Sequence, residues 1–455
     1  MDLFLCVDFG STFTKAALVD GETGRLLGTA SHRTTIETDV LDGFEACRAE
    51  LAQEHPSIVG AEVLACSSAG GGLRVAVIGN EELVTAEAGR RVALSSGGKV
   101  VAVLSRVSDE VAYDELARTM RPDVVLLTGG TDGGDEDGVL AAAARLAASG
   151  WVGPVVMAGN RETRAEVLSR LDGLPVVVAE NVVPRIGVLA PDSARQAIRA
   201  VFLEHVIGGK HLSGRADFPA MVRGATPDLV LTGVEVLARV SAQDVAVLDV
   251  GGATTDVHSA VRLDPEEAAG LSREVVASTP LTRTVEGDLG MRWSASSTWE
   301  AGVEAGLVTD ELRAAAVRRT AEPSLLAATA AEQEEDVEIA ATAATLAMQR
   351  HVGRSRVVVG PDGRQVERTG TDLREVGLLV GSGGVLRHAT PEAVGRILGG
   401  LVGASPHGWQ LPEHAAVVVD RHYVLAAVGL LVERRPAAAA ALARSLTLCE
   451  ETPGS

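Results

Sequence analysis

Basic charge is scarce in this chain: Lys and Arg number 41 against 61 Asp and Glu, a formal charge of −20. That balance excludes nucleic acid or an anionic membrane as the main partner, so an anionic ligand would need a locally arranged site. Cysteine is equally sparse. Cys6, Cys47, Cys66 and Cys449 have neither CxxC nor Cys/His spacing, which excludes a zinc site and an iron–sulfur cluster. Long apolar runs are missing too, since stretches such as 423–432 are too short to cross a bilayer. The first residues carry Asp2 and no basic segment, so no secretory signal is visible and a cytoplasmic location is expected. No GxxxxGK[ST] segment is present, which removes the P-loop from consideration.

What is there describes a globular protein with a sizeable core: 455 residues, 46% hydrophobic and 22% charged, a length that favours two to four domains. The chain opens on an apolar strand, "LFLCVDFG", a turn of small residues, a second strand "TKAALVD", a "GETG" turn and a third strand. A helix over 43–54 and the strand "AEVLACSSAGGG" follow. From residue 99 the rhythm becomes strand, helix, strand, helix, with short, fully apolar strands. That pattern predicts a parallel sheet covered on both faces, an inserted doubly wound α/β unit over 96–182. Residues 183–240 read as a connecting helical segment. Then "DVAVLDVGGATTDVHSA" repeats the opening: placing Asp8 beside Asp249 aligns "DFGSTFTK" with "DVGGATTD". Beyond it, 265–272 and 310–348 read as helical, 356–367 as a hairpin, 376–388 as strand, Gly/Ser loop and helix, and 422–431 as a final strand-to-helix unit. The domains expected are therefore 1–95, 96–182, 183–240 and 241–455.

A turn of small residues after a buried strand lets backbone N–H groups approach an anion closely. Two such turns facing one another across a cleft would suit a nucleoside triphosphate, one holding the β-phosphate and the other the γ-phosphate. Asp8 and Asp249 would hold a hydrated Mg²⁺, an ion that keeps several waters and needs few carboxylates. Ser11, Thr12, Thr254 and Thr255 are candidates for phosphate contact, with Gly10, Gly251 and Gly252 shaping the turns, and Lys15 would neutralise phosphate charge.

These motifs resemble those of the actin/hexokinase/heat-shock-chaperone ATPase superfamily. "VDFGSTFTK" is similar to its first phosphate motif, "LDVGGATTDV" to its second, and "LLVGSGGVLRH", with Gly381, Ser382, Gly383 and Gly384, to its adenosine motif; the three stand in family order. Over nearly the whole chain, "GTDGG", "ENVVPRIGVLAP", "VIGGK", "LTGVEVLA" and "EGDLGMRW" resemble the accessory proteins of glutamate mutase, the GlmL or MutL family. The resemblance implies an α/β, two-lobed actin-like ATPase fold with duplicated ribonuclease-H-like lobes. It also implies ATP and Mg²⁺ as cofactors, and a protecting or reactivating role toward an adenosylcobalamin-dependent mutase whose subunits are the partner.

Hydrolysis requires a group that positions water opposite the leaving diphosphate. Asp256 and Glu286 are the candidates, with Asp288 beside Glu286 and with Glu180 as runner-up. The loop 128–137, "TGGTDGGDED", lies where doubly wound folds bind ligands; it is either a solvated turn or a docking element for the mutase. No DxHxxG signature is present, so cobalamin binding by this chain is not expected. The alternatives are a small-molecule kinase on the same scaffold, which would need a further catalytic aspartate and a polar substrate pocket, or a nucleotide-gated scaffold protein without appreciable turnover.

Overall fold

The computed structural model describes residues 2–208, 212–215, 217–262, 279–360, 363–405 and 407–448. The chain divides within the helix Thr226–Ser241, between Val230 and Leu231, so that one unit is Met1–Val230 and the other comprises Leu231–Arg262 and Pro280–Ser455.

In the first unit the opening strands β1 (Leu3–Phe9), β2 (Phe13–Asp20) and β3 (Leu26–Arg33) form an antiparallel meander, and β4 (Glu62–Ser67) joins β1 in parallel. The helix Val40–Glu54 crosses from β3 to β4 and buries Val40, Leu41, Phe44, Cys47 and Leu51; Asp39 caps it, accepting from the Leu41 N–H. The chain then builds a second sheet before returning. Strands β5 (Leu73–Ile78), β6 (Gly98–Leu104), β7 (Val124–Leu127), β8 (Val155–Met157) and β9 (Val176–Val178) lie parallel in the order β6-β5-β7-β8-β9. Their side chains alternate between two cores. Val75, Val77, Val124, Leu126 and Val156 join the core shared with β1, β2 and the helix Val40–Glu54. Ala76, Ile78, Val125, Leu127, Val155 and Met157 pack with Tyr113, Leu116, Val139 and Leu146 on the other side. Both faces are covered, which is why these strands read as unbroken apolar runs.

Two boundaries differ from the sequence reading. The parallel sheet starts at Leu73, ahead of residue 96, because β5 lies within it, between β6 and β7. The segment 183–240 is more than a connector: β10 (Val222–Ala225) pairs in parallel with β4 and completes the first sheet in the order β10-β4-β1-β2-β3.

The second unit repeats that sheet. Strands β11 (Asp244–Val250), β12 (Thr255–Ala260) and β13 (Leu281–Glu286) form the meander. The hairpin expected at 356–367 is β14 (Arg354–Gly360) with β15 (Gly363–Thr369). Then β16 (Val376–Ser382) and β17 (Ala416–Val419) add in parallel, giving β13-β12-β11-β16-β17. Order and directions match those of the first sheet strand for strand, so the internal repeat in the sequence is a repeat of whole sheets, as the duplicated α/β fold requires. The helix Ala330–His351 begins with a capping box, Thr329 with Glu332, and buries Ile339, Ala343, Leu346 and Met348 against this sheet. The helical stretch 310–348 is broken between Ala321 and Ala330, where "EPSLLAAT" intervenes. The final strand is Ala416–Val419, ahead of 422–431, where the helix Val424–Leu431 lies instead. The helix expected at 265–272 falls outside the described residues.

Candidate functional site: two matching phosphate turns

The first turn closes on itself. The Gly10 N–H donates to the Phe13 carbonyl at 3.2 Å, which brings β1 directly back into β2. A side chain at Gly10 is excluded, since a Cβ there would lie 2.6 Å from the Phe13 oxygen. Ser11 and Thr12 are exposed at the tip. The end of β3 holds the turn from behind: Thr34 donates its N–H to Thr12 O (3.0 Å) and its hydroxyl to Gly10 O (2.8 Å). Asp8 pairs with Lys15 across the strands, and Lys15 Nζ stands 3.7 Å from Asp8 Oδ2. The other carboxylate oxygen accepts from the Thr226 hydroxyl at 2.6 Å and from the Cys66 thiol at 3.7 Å. That carboxylate, and burial above all, drive the Cys66 thiol well above its ordinary range, so it is an inert donor here.

The second turn has the same closure. Gly251 N–H donates to Thr254 O at 2.9 Å, and a Cβ at Gly251 would lie 2.7 Å from that oxygen. Its backing comes from the segment after β13, which carries the "EGDLGMRW" stretch. Met291 N–H donates to Gly251 O (3.0 Å), Arg292 N–H to Gly252 O (2.8 Å) and the Ser294 hydroxyl to Ala253 O (2.6 Å). Arg292 itself is clamped in two hydrogen bonds by Asp336, which also accepts from the buried Arg319. Thr255, fully buried, has no hydrogen-bond partner for its hydroxyl.

The two turns differ at one position. Where the first has Lys15 opposite Asp8, the second has Asp256 opposite Asp249, so two carboxylates form a directly opposed cross-strand pair on one sheet face. The compensating cation is Arg283 on β13, buried, whose Nε and Nη2 both donate to Asp256 Oδ1, while the Thr254 hydroxyl donates to Oδ2. Glu286 lies on the other side of the sheet: it pairs with Thr255, one residue out of phase with Asp256. There it accepts from Arg350 (2.7 Å), which also binds Asp288 through two nitrogens. Burial raises the Glu286 carboxyl despite Arg350, whereas Arg350 holds Asp288 below the usual carboxylate range. Glu180 sits on the parallel-sheet insert, exposed and paired with Arg164.

The glycine loop 381–384 comes to the second turn. Ser382 is the register partner of Asp249, and Gly383 has φ 106°, a conformation that side chains rarely adopt. A Cβ on Gly383 would lie 2.2 Å from Val250 O and 3.1 Å from Asp249 Oδ1, whereas one on Gly384 would meet nothing within 4 Å. Gly381 accepts from the N–H of Asp420, whose buried carboxylate caps the helix Val424–Leu431 through the Val424 and Leu425 N–H groups. Thus Asp249, Gly251, Gly252, Thr254, Asp256 and the loop 381–384 gather at one end of the second sheet, and Asp8, Gly10, Ser11, Thr12 and Lys15 gather at the corresponding end of the first. Sequence reasoning missed Thr34, Thr226 and Arg283, the residues that orient them. Neither Arg283 nor Thr226 had a signal: Arg283 stands on a strand that was not read from the sequence, and Thr226 is brought to Asp8 only by long-range packing.

The family model described as "MutL protein" matches residues 4–446. The chain belongs to that family. A curated relative, "Protein MutL" of Clostridium tetanomorphum, is 36% identical over 96% of this chain and 97% of its own length. Among solved structures, nucleotide-free acetone carboxylase aligns over 95% of this chain and 70% of its own (15% identity, TM-score 0.41). The activator of 2-hydroxyisocaproyl-CoA dehydratase from Clostridium difficile, with bound ADPNP, aligns over 100% of both chains (10% identity, TM-score 0.31). At these scores the structural likenesses add nothing to the fold described from its own sheets. Among the described residues no helix is long and apolar enough to cross a membrane, and no group of three or more His, Cys, Asp or Glu side chains is placed to hold a metal.

Proposed function

We propose that this member of the family is a Mg²⁺-dependent ATPase that protects or reactivates an adenosylcobalamin-dependent mutase such as glutamate mutase. The observation that carries the reading is the pair of turns: the same i to i+3 closure, after the same central strand, in two sheets of the same order. The residues fit a magnesium–nucleotide complex chemically. Each turn offers small residues beside the aspartate that ends its central strand, and the first adds two exposed hydroxyls and a lysine 3.7 Å from its carboxylate. Bound Mg²⁺ would supply charge neutralisation on the phosphates.

In this reading Asp8 and Asp249 bind the hydrated ion. Lys15 and the hydroxyls of Ser11, Thr12 and Thr254 bind phosphate oxygens, and the loop 381–384 binds the nucleoside end. Asp256 positions the attacking water, because it shares a sheet face with Asp249 and Glu286 does not; Arg283 holds its carboxylate in place. Glu286, tied to Arg350, serves as a structural ion-pair member.

The test is recovery of a mutase inactivated during turnover. Addition of the chain with Mg-ATP should restore activity, and Asp249→Ala should abolish the effect. ATP binding without recovery of the mutase would overturn the reading.

A further inference from the structure

The parallel-sheet insert has a topological switch point, and its rim carries exposed aliphatic side chains. From β5 the chain goes to β6 on one side and afterwards to β7 on the other, and the loops that follow these three strands lie together at their carboxyl ends. Three loops converge there. Arg106 N–H donates to Asn80 O, Asn80 Nδ2 donates to Asp135 Oδ2 at 2.9 Å, and Arg145 Nη1 donates to Ser108 O at 2.9 Å. The loop 128–137 is held from the far side as well, by Asn181 Nδ2 on Asp132 Oδ1 (2.8 Å) and Gly130 O (3.0 Å). It is therefore a built element of the rim and not a loose turn.

The rim displays aliphatic side chains where a solvated loop end would be polar: Leu83 is 73%, Val107 86% and Val111 61% exposed. Around them stand exposed carboxylates, Glu81, Glu82, Asp109, Glu110, Asp135 and Glu136, with Arg106 as the opposing charge on these loops. Beneath the loop, Asn80 is 3% exposed and its Oδ1 has no hydrogen-bond donor. An apolar centre and an acidic margin together call for a partner that presents positive charge around an apolar anchor. A second copy of this chain, itself at −20, is disfavoured by charge, and so are nucleic acid and anionic lipid.

We infer that this rim is a docking face for a protein surface that presents apolar side chains flanked by Lys and Arg. The inference rests on the proposal that the chain acts on a partner enzyme, and it specifies which face meets that partner.

The test uses the full chain and purified glutamate mutase, with hydrogen–deuterium exchange to locate the contact and calorimetry to measure it. The expected result is protection confined to segments 80–83, 105–111 and 132–137, with binding that weakens as salt rises. Val107→Ser with Val111→Ser, and separately Glu110→Lys with Glu136→Lys, should each weaken binding by about tenfold or more. All four positions are exposed, so the thermal midpoint and the ATPase rate without partner should be unchanged. Binding by the wild type with protection elsewhere, or with affinity unchanged in both variants, would overturn this inference and leave the partner reading intact. Absence of wild-type binding would overturn the partner reading, and this inference with it.

Discussion

Gly10 and Gly251 occupy the same place in the two turns, and each is a position where one methyl group would press on a backbone oxygen. Neither the flexible end of a side chain nor open space is available to absorb it, so the turn itself must shift. Gly251→Ala should therefore lower ATP affinity about tenfold while the far-UV spectrum stays unchanged, read by calorimetry against wild type. A second residue-scale consequence concerns His351. It is buried between Ser259 and Thr284, hydrogen-bonded to both, and burial pulls its pKa down from 6.5 to about 4. The unfolded chain then binds a proton more readily than the folded one as pH falls from 6.5 toward 4, so stability is lost across that window. The loss amounts to about 2 kcal/mol between about pH 7 and pH 5. His258, buried and depressed chiefly by burial, adds in the same direction. Urea unfolding should show a shallower pH dependence in His351→Gln. At this scale the sequence made the turns legible, because the same Asp, Gly and Thr pattern follows an apolar strand twice. It left their supports illegible: Thr34, Thr226 and Arg283 reach the turns from elsewhere in the chain.

The elements that carry these residues were legible in proportion to their independence of long-range contacts. The first meander, the β11–β12 hairpin, the insert's later strands and the hairpin Arg354–Thr369 follow from local alternation and turn residues. Strand β5 was not read as a strand and fell within the range 1–95, because "LRVAVI" looks the same whichever neighbours it pairs with, and its place between β6 and β7 is set by packing. Strand β10 was missed because four residues containing Gly224 carry little pattern, and pairing with β4 defines it. The helix Ala330–His351 is tied to the second turn through charge. Arg319, fully buried, donates to Asp336 and Glu335, and Asp336 clamps Arg292, whose N–H holds Gly252 O. Removing one partner of a buried ion pair is costly, so Arg319→Met should destabilise the protein by about 3 kcal/mol, measured as a fall in the denaturation midpoint. The same variant should weaken ATP binding if the clamp orients the turn.

For the whole molecule, duplication is the organising fact. Two sheets of the same order each deliver an Asp–Gly turn at the end of a central strand, and the first carries the parallel-sheet insert between its fourth and fifth strands. The repeat of "DFGSTFTK" in "DVGGATTD" made this visible in the sequence, and the family match over residues 4–446 agrees with the resemblance read there. What the repeat did not reveal is the asymmetry: Lys15 in one copy and Asp256 with Arg283 in the other, a division that suits phosphate neutralisation to the first turn and water positioning to the second. The −20 charge makes the local cations at the turns consequential, since no general basic field would draw a nucleotide in. The most direct measurement is a calorimetric titration of the full chain with Mg-ATP, repeated with Asp8→Ala and with Asp249→Ala. The account predicts that wild type binds, that removal of Mg²⁺ weakens binding, and that either substitution cuts affinity by on the order of tenfold or more. Binding by both variants at wild-type affinity would contradict it.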